Sequence, residues 1–212
     1  ILRMSKRFDY RDETTFKKDI YFSTKIEGYF FNKWLEKCGN SDTILCVDNP
    51  RDNGCGNDGS FIAKGNTAGA DYMIDCEVAN GDSTLRYTDM PLEIKWVPVA
   101  GKFTLKEQDL RAYTKEEASI LFIYNSVHCG TNLRKPKNYK LDEYIELLES
   151  KSSHFKWGIM WAAEVKEFYG YAKENNLFKN VRYMVNKSSV ILKQEDFSKW
   201  FIEENWNETV QT

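Results

Sequence analysis

Along the first forty positions, apolar residues recur every three or four steps, and later the period shortens to two. Residues 13–38, ETTFKKDIYFSTKIEGYFFNKWLEKC, carry the longer spacing and predict a helix, with Gly39 as its C-terminal stop. Stepping from Phe16 gives Ile20, Thr24, Glu27, Phe31 and Trp34, so Glu27 falls near the middle of an apolar stripe. A carboxylate there either reaches the edge of the stripe to pair with a lysine or has a function of its own.

DTILCV at 42–47 reads as a short strand, and the turn formers DNPRDNGCGNDGS at 48–60 read as a loop. SFIAKG at 60–65 returns to an extended pattern, and GADYMIDCEV at 69–78 alternates as a strand. The Asn80-Gly81 step within ANGDST is a hairpin signal, so this strand is expected to lie antiparallel to DMPLEIKWVP at 89–98. In that second strand Leu92, Ile94 and Trp96 share one face while Glu93 and Lys95 share the other.

KFTLKEQDLRAYTKEE at 102–117 is expected to form a helix with Thr104 as N-cap. ASILFIYNSV at 118–127, with an unbroken apolar run from Ile120 to Tyr124, suits a strand buried on both faces. A basic loop, HCGTNLRKPKNYK at 128–140, comes next. LDEYIELLES at 141–150, FKWGIMWAAEVKEFYGYAKENN at 155–176 and DFSKWFIEENW at 196–206 read as helices, and VRYMV at 181–185 and SSVILK at 188–193 as extended. This alternation predicts an α/β fold, a central mixed β-sheet flanked by helices. The expected organisation is a single domain over 1–212, with a core at 13–126 and a helical C-terminal elaboration at 127–212.

With 212 residues, 42% of them hydrophobic, the chain is long enough to bury a large core. Its 30 basic and 32 acidic side chains nearly cancel, so any polyanion must be met by a local patch. Cys38, Cys46, Cys55, Cys76 and Cys129 are odd in number and form no C-x-x-C pair. That spacing argues against a disulfide framework and a zinc knuckle, and for a reducing compartment. No apolar run is long enough to span a bilayer and the first residues lack a signal-peptide core, so a soluble cytoplasmic protein with no membrane partner is expected. The loop at 48–60 matches neither a P-loop nor an EF-hand. With only His128 and His154, and no G-x-S-x-G elbow, nucleophilic triads are poorly supported.

Antiparallel pairing across the Asn80-Gly81 turn would bring Asp71, at the start of the first strand, toward Glu93 in the second. Two adjacent acids repel unless a cation lies between them, and two carboxylates plus waters are what Mg²⁺ prefers. Lys95 projects from the same face as Glu93 and would supply positive charge to a phosphate. These are the parts that phosphodiester hydrolysis requires. The plainer alternative is a half-solvated strand carrying an ordinary ion pair.

GADYMID and LEIKW, with the hairpin between them and a helix and strand after them, resemble the PD-(D/E)XK, or restriction endonuclease-like, nuclease superfamily over roughly residues 13–126. The resemblance implies a restriction endonuclease-like core in which Asp71, Glu93 and Lys95 are catalytic. It makes Asp71 and Glu93 metal ligands, the Ile94 carbonyl a backbone ligand, and Glu27 the first-helix glutamate beside the metal. It further implies Mg²⁺ as cofactor, with Mn²⁺ substituting, DNA as substrate, and 5′-phosphate and 3′-hydroxyl products. Ala70 departs from the usual proline, and Asp75 shares a strand face with Asp71, which is preferred because it precedes the apolar residues. The recombination-exonuclease branch follows its lysine with Q-x-x-x-Y, whereas here Asp109 rather than Gln108 stands four residues before Tyr113. An endonuclease of restriction or phage type is therefore expected ahead of an exonuclease or junction-resolving enzyme. A non-catalytic nucleic-acid-binding module on the same fold is the further alternative. Lys106 and Gln108, together with Arg134, Lys135, Lys137 and Tyr139 of the basic loop, are the candidate DNA contacts, although solvated positions explain them equally. Cutting both strands often needs two symmetry-related sites, so a homodimer is expected, with residues 127–212 supplying target contacts or the dimer surface.

Overall fold

The computed structural model describes residues 13–38, 41, 43–53, 69–97, 102–125, 133, 140–181 and 187–206. Helix α1 (Glu13–Lys37) buries Ile26, Phe30 and Trp34 at four-residue steps, with Phe31 beside them. Thr24 is exposed and Glu27 half-buried, so Glu27 flanks the apolar stripe instead of lying at its centre. The buried line runs one residue out of phase with the expected one, because 3.6 residues per turn lets either series fit a short stretch.

Six strands form the main sheet in the order β1 (Ile44–Asp52), β2 (Tyr72–Asn80), β3 (Ser83–Val97), β5 (Ser119–Asn125), β6 (Phe155–Met160), β9 (Glu204–Asn205). The β2–β3 hairpin closes on Gly81 and Asp82, and Gly81 holds a φ of 59° that L side chains rarely adopt. Strands β3 and β5 are parallel, joined through β4 (Lys102–Lys106) and α2 (Glu107–Glu116), and the other pairs are antiparallel. A second sheet has the order β4, β8 (Lys187–Lys193), β7 (Lys179–Val181). The chain is thus mixed α/β, as its alternation of patterns predicted.

Two apolar clusters cover the faces of the main sheet. One gathers α1 and α3 (Leu141–Ser150) over Leu92, Ile94, Leu121 and Ile123. The other gathers α2, α4 (Ala162–Glu174) and the second sheet over Ile120, Phe122 and Tyr124. Every residue of β5 is buried, as its unbroken apolar run predicted.

Several expected elements change type. FKWGIM is strand β6, pairing Ile120 with Met160, and the helix begins only at Ala162. A short apolar run has no period to separate helix from strand, so its neighbours decide. Thr104 caps no helix: it lies in β4 between buried Phe103 and Leu105, and α2 starts after Lys106 without a side-chain cap. Strand β1 continues through Asp52, absorbing the first turn formers expected in a loop. It tolerates Pro50 because it is an edge strand, and it is irregular between Asp48 and Arg51, where Asn49 has a φ of 49°. The expected helix at 196–206 is a 3₁₀ turn (Gln194–Lys199) followed by β9. SFIAKG, Gly39 and residues 182–185 lie outside the described residues.

Candidate active site

Pairing of β2 with β3 ends at Tyr72 and Leu92, while β3 continues to Val97 against β5. One edge of β3 is thereby left without β2 from Glu93 onward, and Asp71, the residue before β2, falls at that notch. The backbone around Asp71 is held from both sides. Asn53 donates its amide N–H to the Asp71 carbonyl at 3.0 Å and its side-chain Nδ2 to the Ala70 carbonyl at 3.0 Å. Ala70 donates its N–H to Glu116 Oε2 of α2 at 3.3 Å and is itself fully buried.

Helix α1 reaches the same place by stacking. Phe31 lies on the Tyr72 ring, centroids 3.8 Å apart, and Gly28 faces the Tyr72 hydroxyl. This contact carries the neighbouring Glu27 toward the acids, near enough to feel the charges of Lys95 and Glu93.

Glu93 is only 4% exposed. Lys95 donates from its ammonium to Glu93 Oε1, whereas the buried Oε2 has no hydrogen-bond partner of ordinary geometry among the described residues. The Asp71 carboxyl and the Tyr113 hydroxyl nevertheless both lie close to Glu93. Lys95 Nζ sits 5.6 Å from the centre of the Tyr113 ring, a cation–π contact made from α2.

The protonation states follow from this crowding. Burial, reinforced by Glu93, pushes the Asp71 carboxyl from 3.8 up to about 8. Burial also raises Glu27 from 4.5 to about 7, with Lys95 opposing and Glu93 adding to the shift. For Lys95, burial works to lower the ammonium, but the charge and hydrogen bond of Glu93, with Tyr113 and Asp109 adding to them, together hold the pKa well above its ordinary value. The cluster therefore has an excess of acid over base in a space too dry to ionise all of it.

Among the described residues no three His, Cys, Asp or Glu side chains are spaced to hold a metal together. A pair of carboxylates is nonetheless a common anchor for Mg²⁺, which keeps several waters. Glu93 Oε2, buried without a partner among the described residues, and Asp71, driven toward its neutral form by burial and then by its acidic neighbour, are both groups that a divalent cation would satisfy. The residues present thus fit Mg²⁺ held by Asp71 and Glu93. The Ile94 side chain is buried in the α1 cluster, which leaves only its main-chain carbonyl for such a role.

Asp75 is engaged elsewhere. It accepts from Asn49 Nδ2 at 2.7 Å and from the Asp89 amide at 2.9 Å, with Arg51 3.9 Å away. Lys106 and Gln108 both turn to Asp109, at 3.3 Å and 3.2 Å. Arg134, Lys135, Lys137 and Tyr139 lie outside the described residues. Tyr113 is a further participant, which the Q-x-x-x-Y spacing does not single out because it stands five residues after Gln108. Its helical phase was the available signal: Leu110 and Tyr113, three residues apart, are the buried pair of α2. Comparisons of the chain with protein-family models, with curated proteins and with solved structures found no match.

Proposed function

We propose that this chain is a Mg²⁺-dependent DNA endonuclease with a restriction endonuclease-like core, hydrolysing phosphodiester bonds to leave 5′-phosphate and 3′-hydroxyl ends. The observation that carries the reading is the meeting of Asp71, Glu93 and the Lys95 ammonium at the start of β2. Asp71 and Glu93 would hold the cation, with Mn²⁺ an expected substitute. A bound Mg²⁺ would supply Lewis acidity toward a phosphoryl oxygen and make a bound water more acidic.

The chain's own residues then have separable tasks. Lys95 stays protonated because Glu93 accepts from it, so it offers positive charge to a phosphate and does not serve as a base. Tyr113 lies beneath it and limits where the ammonium can go. Glu27, held near neutrality at the rim, suits proton exchange with a water at working pH better than the Lys95 ammonium does. A homodimer, with residues 127–212 at its surface or on the target, belongs to the same proposal.

Supercoiled plasmid incubated with the protein in Mg²⁺, and in parallel in EDTA, tests it. Cutting should depend on the metal, and Glu93→Gln and Lys95→Ala should each abolish cutting while retaining DNA binding. Full activity of either purified variant would overturn the assignment. Retained DNA binding without Mg²⁺ uptake by the wild type would favour a binding module that does not cleave.

A further inference from the structure

The second sheet alternates as strictly as any part of the fold. Phe103 and Leu105 of β4 and Val190 and Leu192 of β8 point inward to the cluster beneath α2 and α4. The register pairs Lys102 with Lys193, Thr104 with Ile191, and Lys106 with Ser189, and then Ser189 with Lys179 of β7. By the period-two rule these residues share the face opposite that cluster, on which Ser189 is itself buried and Thr104 and Lys106 are half-buried. Lys102, Lys179, Ile191 and Lys193 are exposed there.

Four lysines therefore gather on one face of three short strands, in a chain whose formal net charge is −2. Lys193 is paired with Glu195 at 3.1 Å, and Lys106 with Asp109 at 3.3 Å. Among the described residues Lys102 and Lys179 have no acidic partner. At strand dimensions the face extends about 13 Å from Lys102 to Lys106 and about 10 Å from Lys106 across to Lys179. Its Lys106 corner adjoins the candidate active site, because the Asp109 that pairs with Lys106 stands one turn before Tyr113 on α2, and the Tyr113 ring meets the Lys95 ammonium.

We infer that the outer face of the second sheet, through Lys102, Lys106, Lys179 and Lys193, binds the phosphate backbone of DNA and leads it to the notch between Asp71 and Glu93. The choice of DNA as the polyanion rests on the hydrolytic reading above, and the face itself rests on the register and the charge. Duplex DNA carries a charge for each ~1.7 Å of its axis, so a face of this length spans several phosphates. Such contacts give affinity and salt dependence without reading bases. The expected sites in the loop at 134–139 are not needed for this surface.

The test uses the full chain. Fluorescence anisotropy in EDTA measures binding of a labelled duplex over a range of salt for wild type and for the triple variant Lys102→Glu, Lys179→Glu, Lys193→Glu. A second triple variant with glutamine at the same positions removes the charge without adding repulsion. A control reverses Lys151, Lys166 and Lys173, which lie outside the strands of this sheet. Hydrolysis of the p-nitrophenyl ester of thymidine 5′-phosphate in Mg²⁺, a diester too small to span the face, reads the chemistry separately.

The face variants should bind duplex at least about tenfold more weakly, and the slope of log affinity against log salt should shrink by about 2 to 3. The control should behave as wild type, and hydrolysis of the small ester should be unchanged in every variant. Wild-type affinity and slope in both face variants would overturn the inference, as would a wild type that binds no duplex at low salt. If wild type leaves the small ester intact while the face variants lose binding, the surface stands and the hydrolytic reading fails.

Discussion

Glu93 concentrates the residue-scale physics: one carboxylate oxygen holds the Lys95 ammonium, and the other is buried without a partner of ordinary geometry among the described residues. Removing only the lysine strands a buried charge, a change that typically costs about 3–5 kcal/mol. Lys95→Ala should therefore lower the urea midpoint markedly at pH 8, and Glu93→Gln combined with Lys95→Met should recover most of the loss. Equal stability of Lys95→Ala and wild type would mean that the pair is solvated. Asp71 adds a pH dependence. Folded, its carboxyl titrates at about 8 against 3.8 unfolded, so between those values the native state keeps a proton that the unfolded chain has released. Linkage then makes stability fall as pH rises through that window. In EDTA, wild type should lose more stability between pH 5 and pH 8 than Asp71→Asn does, and saturating Mg²⁺ should narrow the gap. An unchanged pH profile in Asp71→Asn would remove Asp71 from the buried cluster. Glu93 and Lys95 were recognisable from the sequence because a period of two is local. Tyr113 was not, because its approach depends on how α2 crosses the sheet.

Element by element, the misread segments share a cause. FKWGIM is apolar on both sides, and hydrophobicity alone cannot say whether six such residues turn or extend. What makes them a strand is the open edge of β5, itself buried on both faces. Gly158 records how closely the following chain covers that strand. A methyl group there would press into the Phe201 ring and come 2.7 Å from the Ile202 carbonyl oxygen. Gly158→Ala should cost about 1–3 kcal/mol in urea unfolding, as overpacked sites do. A neutral result would show that Phe201 can move aside. Helix α2 carries the opposite lesson: its residues read correctly as helix, but KFTLK ahead of it follows the shorter period and belongs to β4, so Thr104 is a strand residue and no cap.

On the scale of the whole molecule, the two ends of the chain share one core. Phe30 of α1 packs on Phe155 of β6 and on Trp206, with centroids 5.7 and 5.8 Å apart, and Trp34 meets Trp157 edge-on at 6.0 Å. Trp34 is completely buried, and its replacement by alanine should cost about 3–5 kcal/mol. Because α1 also delivers Glu27, Trp34→Ala should weaken the candidate site although it lies two helical turns away. A fragment ending at residue 126 loses β6, β9 and Trp206 together, so it should show no cooperative unfolding by circular dichroism. A sharp transition in that fragment would mean that residues 13–126 suffice. Among the described residues no helix is long and apolar enough to cross a membrane.

The sequence by itself determined what depends on near neighbours: helix α1, the hairpin turning at Gly81, the doubly buried β5, and the shared face of Glu93 and Lys95. Periodicity and turn chemistry act over a few residues, so they are written in the order of the letters. Tertiary structure decided that FKWGIM extends, that β4 leaves to build a second sheet, and that Glu27 and Tyr113 join Asp71 around the Glu93 carboxylate. Those outcomes depend on which surfaces are left to be covered once the other elements have packed, and no local pattern carries that information.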